Sequence, residues 1–285
     1  MSEQTTHGQR PLAFITSDIL SFAGTTVVRG AESIATEHRN PFRLAFTHED
    51  GDYEKELIET LCTQQVAAVI LTDSTEAVKA DDERIADYCD TLGAVGARLV
   101  LCGHPPLPAL PKVLTVNYDQ VGGVRKVVVD LANKGHSRIA FLGCGTSAMA
   151  RQRFLGYTLG LQDAGVSMDS SLMIACPDAT AESHLAALLL LRSPNPPTGI
   201  ICLTDAIAMG VYRAARDSSI EIPSQVAITG FGDSPYTGDL SPGLTSVHVP
   251  YFDLGASAAK LGLGVGDDSM HAILPTTVVL RESSG

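Results

Sequence analysis

No apolar run in this 285-residue chain reaches the roughly 18 residues that a membrane span needs, because charge or glycine interrupts each one first. The N-terminus, MSEQTTHGQR, lacks an apolar h-region and does not read as a secretory signal. Basic residues are few: 20 Lys and Arg stand against 32 Asp and Glu, a formal charge of −12. Such a surface repels a phosphate backbone, so specific DNA binding by these residues themselves is not expected. Paired cysteines are also lacking. Cys62, Cys89, Cys102, Cys144, Cys176 and Cys202 form no CxxC or CxxH spacing, and Cys62, Cys102, Cys176 and Cys202 fall in apolar runs where Cys acts as a small core residue. The pattern implies a reducing cytoplasm, with neither disulfides nor a metal site. No G-x-S-x-G elbow, P-loop or Cys/His nucleophile pair occurs, and "HED" at 48–50 has no second His in metalloprotease spacing. Neither a catalytic set nor a cofactor is expected.

What is present is a regular alternation. The composition, 45% apolar and 18% charged, is that of an ordinary soluble globular chain. Short apolar runs recur at "PLAFIT", "FRLAFT", "VAAVILT", "ARLVLCG", "SRIAFLG", "SLMIAC", "TGIICLT" and "QVAITGFG", separated by helix-like segments such as "TTVVRGAESIATEHR" and "DYEKELIETLCTQQ". These runs are continuously apolar rather than alternating, as expected of parallel strands covered on both faces. The fold class is α/β, with right-handed crossovers between parallel strands. The rhythm halts at "GHPPLPALPKVLTVNYDQ", where Pro105, Pro106, Pro108 and Pro111 exclude a helix before a strand-like "KVLTV". It restarts at "QVGGVRKVVVDLANKGHSRIAFLG", so two sheets of four or five strands each are expected rather than one of nine. The C-terminal order, strand-like "LTSVHV", helix-like "YFDLGASAAKLGLGV" and strand-like "ILPTTVVLR", completes neither half alone and could thread back between them.

In open α/β sheets ligands sit beyond the carboxyl ends of the strands. The strand-end residues here are Ser17-Asp18, Thr72-Asp73, Gly145 to Ser147, Asp178, Thr204-Asp205 and Gly232-Asp233, a set of hydroxyls and carboxylates suited to a polar small molecule. Arg153, just beyond the Gly145 loop, adds a planar array of donors. Each has a plainer reading: Ser147 and Asp205 are residue types that cap helices, and Asp18 could begin a turn. "GCGTSA" at 143–148 fits the loose dinucleotide pattern G-x-G-x-x-A. The acid that such a site needs near twenty residues later is missing; Asp178 lies over thirty residues beyond Gly145. The glycines are better read as serving a tight loop.

The blocks "VNYDQVGGVRKVVVDLANKGHSRIAFLG", "RQRFLGYTLGLQDAG", "PPTGIICLTDAIAMGVYRAARDSSIEIPSQVAITGFGD", "LSPGLTSVHVPYFDLGASAAKLGL" and "LPTTVVLRESSG" together resemble LacI/GalR-type transcriptional regulators. The first half resembles them more loosely, through "LAFITSDI…VVRGAESIATEH" and "VAAVILTDS". The resemblance implies a fold like periplasmic binding proteins of type I: two doubly wound parallel-sheet lobes joined by three crossover segments, with a ligand cleft between them. It places the N-terminal lobe at 10–117 plus 249–275 and the C-terminal lobe at 118–248 plus 276–285. It implies a homodimer and operator contact only through a helix-turn-helix headpiece, which is not found in the sequence. Arg153 matches the family's effector-contacting arginine, and Asp205 and Asp233 keep family carboxylates. Phe22 is what remains of an aromatic cluster after the first strand. Thr204 stands where the family has Asn, Gly232 where it has a first Asp, and Ala179 where an aromatic often stacks on the ligand. A simple hexose effector is therefore not expected.

Three classes follow: a cytoplasmic effector-sensing core of a regulator, a solute-binding protein of a transporter, and an enzyme on the same scaffold. Fold alone does not separate them. The absent export signal and the unpaired cysteines favour the first. The candidate ligand contacts are Ser17, Asp18, Phe22, Thr72, Ser147, Arg153, Asp178, Thr204, Asp205 and Asp233, facing a small polar effector.

Overall fold

Along the chain, strands and helices alternate as β1 (Leu12–Thr16), α1 (Phe22–Glu37), β2 (Phe42–Phe46), α2 (Gly51–Thr63), β3 (Ala68–Thr72), α3 (Asp82–Ala94), β4 (Arg98–Cys102) and β5 (Leu114–Tyr118). Then follow α4 (Gln120–Asn133), β6 (Ile139–Cys144), α5 (Ala148–Asp163), β7 (Met173–Ala175), α6 (Thr180–Leu191), β8 (Gly199–Cys202), α7 (Asp205–Asp217), β9 (Ala227–Gly232) and β10 (Thr245–His248). The last elements are α8 (Tyr251–Leu263), β11 (His271–Leu274) and β12 (Thr277–Val279). The computed structural model describes residues 9–17, 19–47, 50–72, 82–266 and 269–285. It resolves into unit 1, Met1–Tyr118 with Tyr251–Leu274, and unit 2, Asp119–Pro250 with Pro275–Gly285.

Unit 1 holds a six-stranded sheet in the order β11-β5-β4-β3-β1-β2, parallel throughout. Helices cover both faces, as a parallel sheet requires. Helix α1 buries Val27, Gly30, Ala31, Ile34 and Ala35, one stripe at helical spacing, and Ser21 caps its start by accepting the Gly24 N–H at 2.9 Å. That stripe packs on α8, where Gly30 meets the Phe252 carbonyl and Gly255 meets the Val27 carbonyl; a Cβ at either glycine would overlap backbone. The opposite face carries the core of Ala13, Ile15, Val69, Leu71, Leu99 and Leu101 under Ile58 and Leu61 of α2 and Ile85, Tyr88 and Leu92 of α3. At the amino edge, Arg10 donates to the carbonyls of Gln65 (2.9 Å), Val95 (2.9 Å) and Gly96 (3.0 Å), tying the ends of α2 and α3 to the start of β1.

Unit 2 repeats the plan in the order β12-β10-β9-β8-β6-β7, parallel except for the antiparallel β10/β12 pair. Both sheets therefore reverse direction between their first and third strands, β1/β3 and β6/β8, and such reversals are where open sheets hold ligands.

Three expectations need correction. Each sheet has six strands rather than four or five, because the C-terminal tail adds one to each. The run "ILPTTVVLR" is not a single strand: β11 belongs to unit 1 and β12 to unit 2, separated at Pro275-Thr276. The edge strands β2 and β7 are half-exposed although their sequences are as apolar as the central strands, since an edge is covered from one side only. No helix forms between β4 and β5, as the prolines dictate.

Candidate functional site

The carboxyl edge of unit 2 is set by the turn that ends β6. Gly143 sits at φ 111°, the register against β7 shifts between Leu142 and Cys144, and a Cβ at Gly143 would overlap Leu203 and Ile207. The glycine thus lets β6 press against the end of β8, which accounts for "GCGTSA" without a nucleotide. Ser147 then caps α5, accepting the Ala150 N–H at 3.1 Å.

Helix α5 delivers Arg153 inward, where it is 2% exposed. Its Nε donates to Gln120 Oε1 at 3.2 Å, one Nη donates to the Leu203 carbonyl at the end of β8, and its guanidinium carbon lies 3.7 Å from the centre of the Phe231 ring. The same helix packs Gly156 on Val121 of α4 and sends the Tyr157 hydroxyl to the Ile139 carbonyl at 2.8 Å. The Arg-x-x-Gly-Tyr block is thus a joint between α4, α5 and the sheet, with Arg153 at its carboxyl-edge end.

Thr204, not Asp205, caps α7: its hydroxyl accepts the Ile207 N–H at 3.2 Å and donates to Asp178 Oδ1. Asp205 is the first residue of that helix and is 1% exposed. The expectation that Asp205 is a cap is corrected by the register: the helix starts one residue earlier than the carboxylate would need. Its Oδ2 accepts the Ser234 N–H at 2.7 Å and its Oδ1 the Ser246 hydroxyl at 2.6 Å, joining the start of α7 to the loop after β9 and to β10. Burial pushes its carboxyl above the ordinary value of 3.8, against the opposing pull of the Ser234 and Ser246 donors. Gly232 at φ 127° turns the chain so that Asp233, itself at φ 51°, faces Arg281 and His248. Asp233 Oδ1 accepts from Arg281 at 2.8 Å and Thr237 at 3.2 Å, while Oδ2 lies 3.1 Å from His248 Nδ1. Thus Ser147, Arg153, Asp178, Thr204, Asp205 and Asp233 share the carboxyl edge of unit 2. Asp178 and Asp233 bond to Thr204 and Arg281, and each has side-chain partners of its own.

In unit 1, Ser17 follows β1 and is half-buried, and the Thr72 hydroxyl donates to the Ile15 carbonyl at 3.4 Å. Phe22 opens α1, 42% exposed, in edge contact with Tyr251 at 6.3 Å; Tyr251 in turn meets Tyr118 at 6.3 Å. Asp18 and Asp73 lie outside the described residues. Sequence reasoning missed Gln120, Phe231, Ser234, Ser246, His248 and Arg281, which hold the expected residues from 13 to 78 positions away along the chain. It also missed His104, 5% exposed just past β4. There Nδ1 donates to the Pro105 carbonyl at 2.7 Å and Nε2 has no partner.

The edge thiols Cys144 and Cys202 are both raised by burial, so they stay neutral and offer no nucleophile. Among the described residues no group of three His, Cys, Asp or Glu is placed to hold a metal ion. Also among them, no helix is long and apolar enough to cross a membrane.

The sequence pattern of the periplasmic binding protein-like domain matches residues 128–284. The chain is 27% identical over 278 residues to catabolite control protein A of Priestia megaterium, covering 95% of this chain and 80% of that one. It superimposes on the transcriptional regulator CelR in complex with cellobiose with a TM-score of 0.83 at 25% identity, covering 97% and 86% of the two chains. A LacI family transcriptional regulator from Enterococcus faecium with bound ribose shares the fold, with a TM-score of 0.80 at 22% identity over 96% and 98%.

Proposed function

We propose that the chain, which belongs to the periplasmic binding protein-like family, is the effector-sensing and dimerisation core of a LacI-type transcriptional regulator. The effector is a small polar molecule, sugar-like or a related metabolite. Its contacts are drawn from Ser147, Arg153, Asp178, Thr204, Asp205 and Asp233 at the carboxyl edge of unit 2; Ser17, Phe22 and Thr72 mark the same edge of unit 1. The observation that carries this reading is the convergence on one sheet reversal: Arg153 reaches the end of β8 while Thr204 and Asp205 start the helix after it. Thr204 in place of an amide and Ala179 in place of a ring argue against a plain hexose. Operator contact is assigned to a helix-turn-helix headpiece and not to these two units, whose charge opposes DNA. No catalytic step is assigned.

A screen of sugars, polyols, nucleosides and amino acids by thermal shift tests the reading. A compound that binds only the folded state raises the melting temperature increasingly as its concentration exceeds its Kd. At least one polar metabolite is expected to do so, with the rise lost in Arg153→Lys. A panel in which no compound shifts the transition overturns the assignment.

A further inference from the structure

The connection between β4 and β5, which has no α-helix, has a counterpart in unit 2 between β9 and β10, where the 3-10 turn Pro235–Asp239 takes the helix's place, and the two are finished differently. In unit 2 the last residues of the chain cover it. Ser283 donates from its backbone to the Gly243 carbonyl at 3.0 Å and from its hydroxyl to the Ile228 carbonyl at 2.6 Å. The Gly243 N–H donates to Glu282 Oε2 at 3.1 Å, and the Tyr212 hydroxyl closes the far side on the Pro242 carbonyl at 2.9 Å. Ser283 and Ser284 are buried as a result.

Unit 1 has no such cover among the described residues. Its proline-rich connection is held open by two tight turns, Leu110 N–H to the Leu107 carbonyl and Val113 N–H to the Leu110 carbonyl, both at 3.0 Å. Between it, α3 and the start of β4 lies a groove of about 560 Å³. That volume is in the range of small-molecule sites, roughly 300–1,000 Å³. The walls are apolar, with Ala86 on α3, Leu99 on the sheet and Leu110 on the connection. Two cations and one acid border it: Arg98, Lys112 and Asp90. Arg98 is anchored through the Leu261 carbonyl at 3.3 Å, whereas Lys112 is exposed and makes no hydrogen bond or ion pair among the described residues. Cys89 also lines the groove, its thiol pushed up to about 11 by burial and by Asp90; it contributes neutral apolar wall rather than a nucleophile.

We propose that this groove, at the amino edge of unit 1, binds an amphipathic carboxylate, with the alkyl body against Ala86, Leu99 and Leu110 and the carboxylate on Lys112 and Arg98. An apolar wall with a net positive rim, in a chain of charge −12, selects a small anion with an apolar tail over a cation or a bare polyol. Within unit 1 the groove lies at the opposite end of the strands from Ser17, Phe22 and Thr72, so the proposal stands or falls apart from them.

The probes are octanoate, octan-1-ol and octylamine, below their aggregation concentrations, titrated by thermal shift and by nuclear magnetic resonance of the methyl groups of Leu99 and Leu110. Octanoate is expected to bind most tightly and octylamine least. Lys112→Glu should weaken octanoate by about tenfold or more, the loss of one charge-assisted contact. Ala86→Phe, which fills the groove from the half-exposed face of α3, should remove binding of all three. The proposal is overturned if octanoate perturbs neither methyl group, if octylamine binds as well as octanoate, or if octanoate binding survives Ala86→Phe.

Discussion

Among the described residues each unit buries one carboxylate to 1% exposure, Glu54 and Asp205, and the two are satisfied in different ways. Glu54 of α2 pairs with the Arg84 guanidinium of α3, within reach of Tyr88, so its charge is answered by a charge. Asp205 is answered by a backbone N–H and a hydroxyl, both neutral, donated from the loop after β9 and from β10. The first arrangement clips the first turns of two neighbouring helices, α2 and α3, together. The second ties the start of α7, the loop after β9 and β10 together at one edge of the sheet, and a preorganised edge is what a binding site needs. Of the two candidate edges, that of unit 2 is therefore the more finished, and the sharpest tests compare disruption of its edge with disruption of unit 1.

The largest effect is expected at Arg153. Arg153→Ala removes two hydrogen bonds from a buried cation and its contact with Phe231, together about 3 kcal/mol or more. Urea denaturation should show that loss, alongside the loss of ligand-induced stabilisation. Arg151, exposed on the same helix, is the control, and Arg151→Ala should melt within about 0.5 kcal/mol of the parent. Parental stability in Arg153→Ala would mean that the guanidinium is not holding the edge.

Next come the two buried acids. Asp205→Ala leaves the Ser234 N–H and the Ser246 hydroxyl without their acceptor, and should cost about 1–3 kcal/mol. The pH dependence follows from direction alone. Burial raises both Asp205 and Glu54 above their ordinary values of 3.8 and 4.5. In the interval between each ordinary value and its raised folded value, the folded state holds a proton that the unfolded state has released, so stability falls as pH rises through it. Below that interval both states are protonated and the penalty is absent. Asp205→Asn and Glu54→Gln should each flatten the fall, as measured by urea midpoints from pH 3.5 to 7. An unchanged slope in both would place the pH dependence elsewhere.

The comparison also marks how far the sequence was legible. The apolar runs located β1, β3, β6, β8 and β9 because strands covered on both faces carry an uninterrupted signal. The same signal misled at β2 and β7, whose exposure depends on where each strand sits in the sheet and not on its composition. The residue types at the carboxyl edge were legible, but their partners were not. Nothing local in "LTD" announces that Asp205 is met by Ser234 and Ser246, or in "FGD" that Asp233 is met by Arg281, 48 residues on. A one-residue difference in helix start, which made Thr204 the cap instead of Asp205, lies below what residue preference can separate.

A smaller effect is expected from the Arg281–Asp233 pair. The two side chains are 22% and 15% exposed, so screening limits the pair to about 1 kcal/mol. Arg281→Ala removes that pair and the hydrogen bond to the Leu244 carbonyl at 2.7 Å, and should lower stability by about 1–2 kcal/mol. It leaves Asp233 Oδ1 with the Thr237 hydroxyl as donor, so the affinity of any ligand that uses Asp233 should change by more than the stability does. Equal changes in both would make the pair purely structural.

The smallest effect on stability, and the most visible effect on assembly, is expected at α6. Its run of four leucines, Leu188 to Leu191, is too long for one buried stripe. The structure buries Leu190 and Leu191 and leaves Leu189 78% exposed and Leu185 62% exposed one turn before it. Leu189 also walls a groove of about 660 Å³ against the edge strand β7, with Leu172 and Ile174. A helix face and a strand edge that are both apolar and both open to solvent are costly to leave wet, and a second copy of the chain would cover them. Because Leu189 contributes little to the core of its own unit, Leu189→Glu should change the unfolding free energy by no more than about 0.5 kcal/mol. The same charge placed in a shared apolar face should convert a sedimenting dimer into a monomer at micromolar concentration. A parent chain that already sediments as a monomer removes the dimer proposal, and a Leu189→Glu dimer moves the interface away from α6.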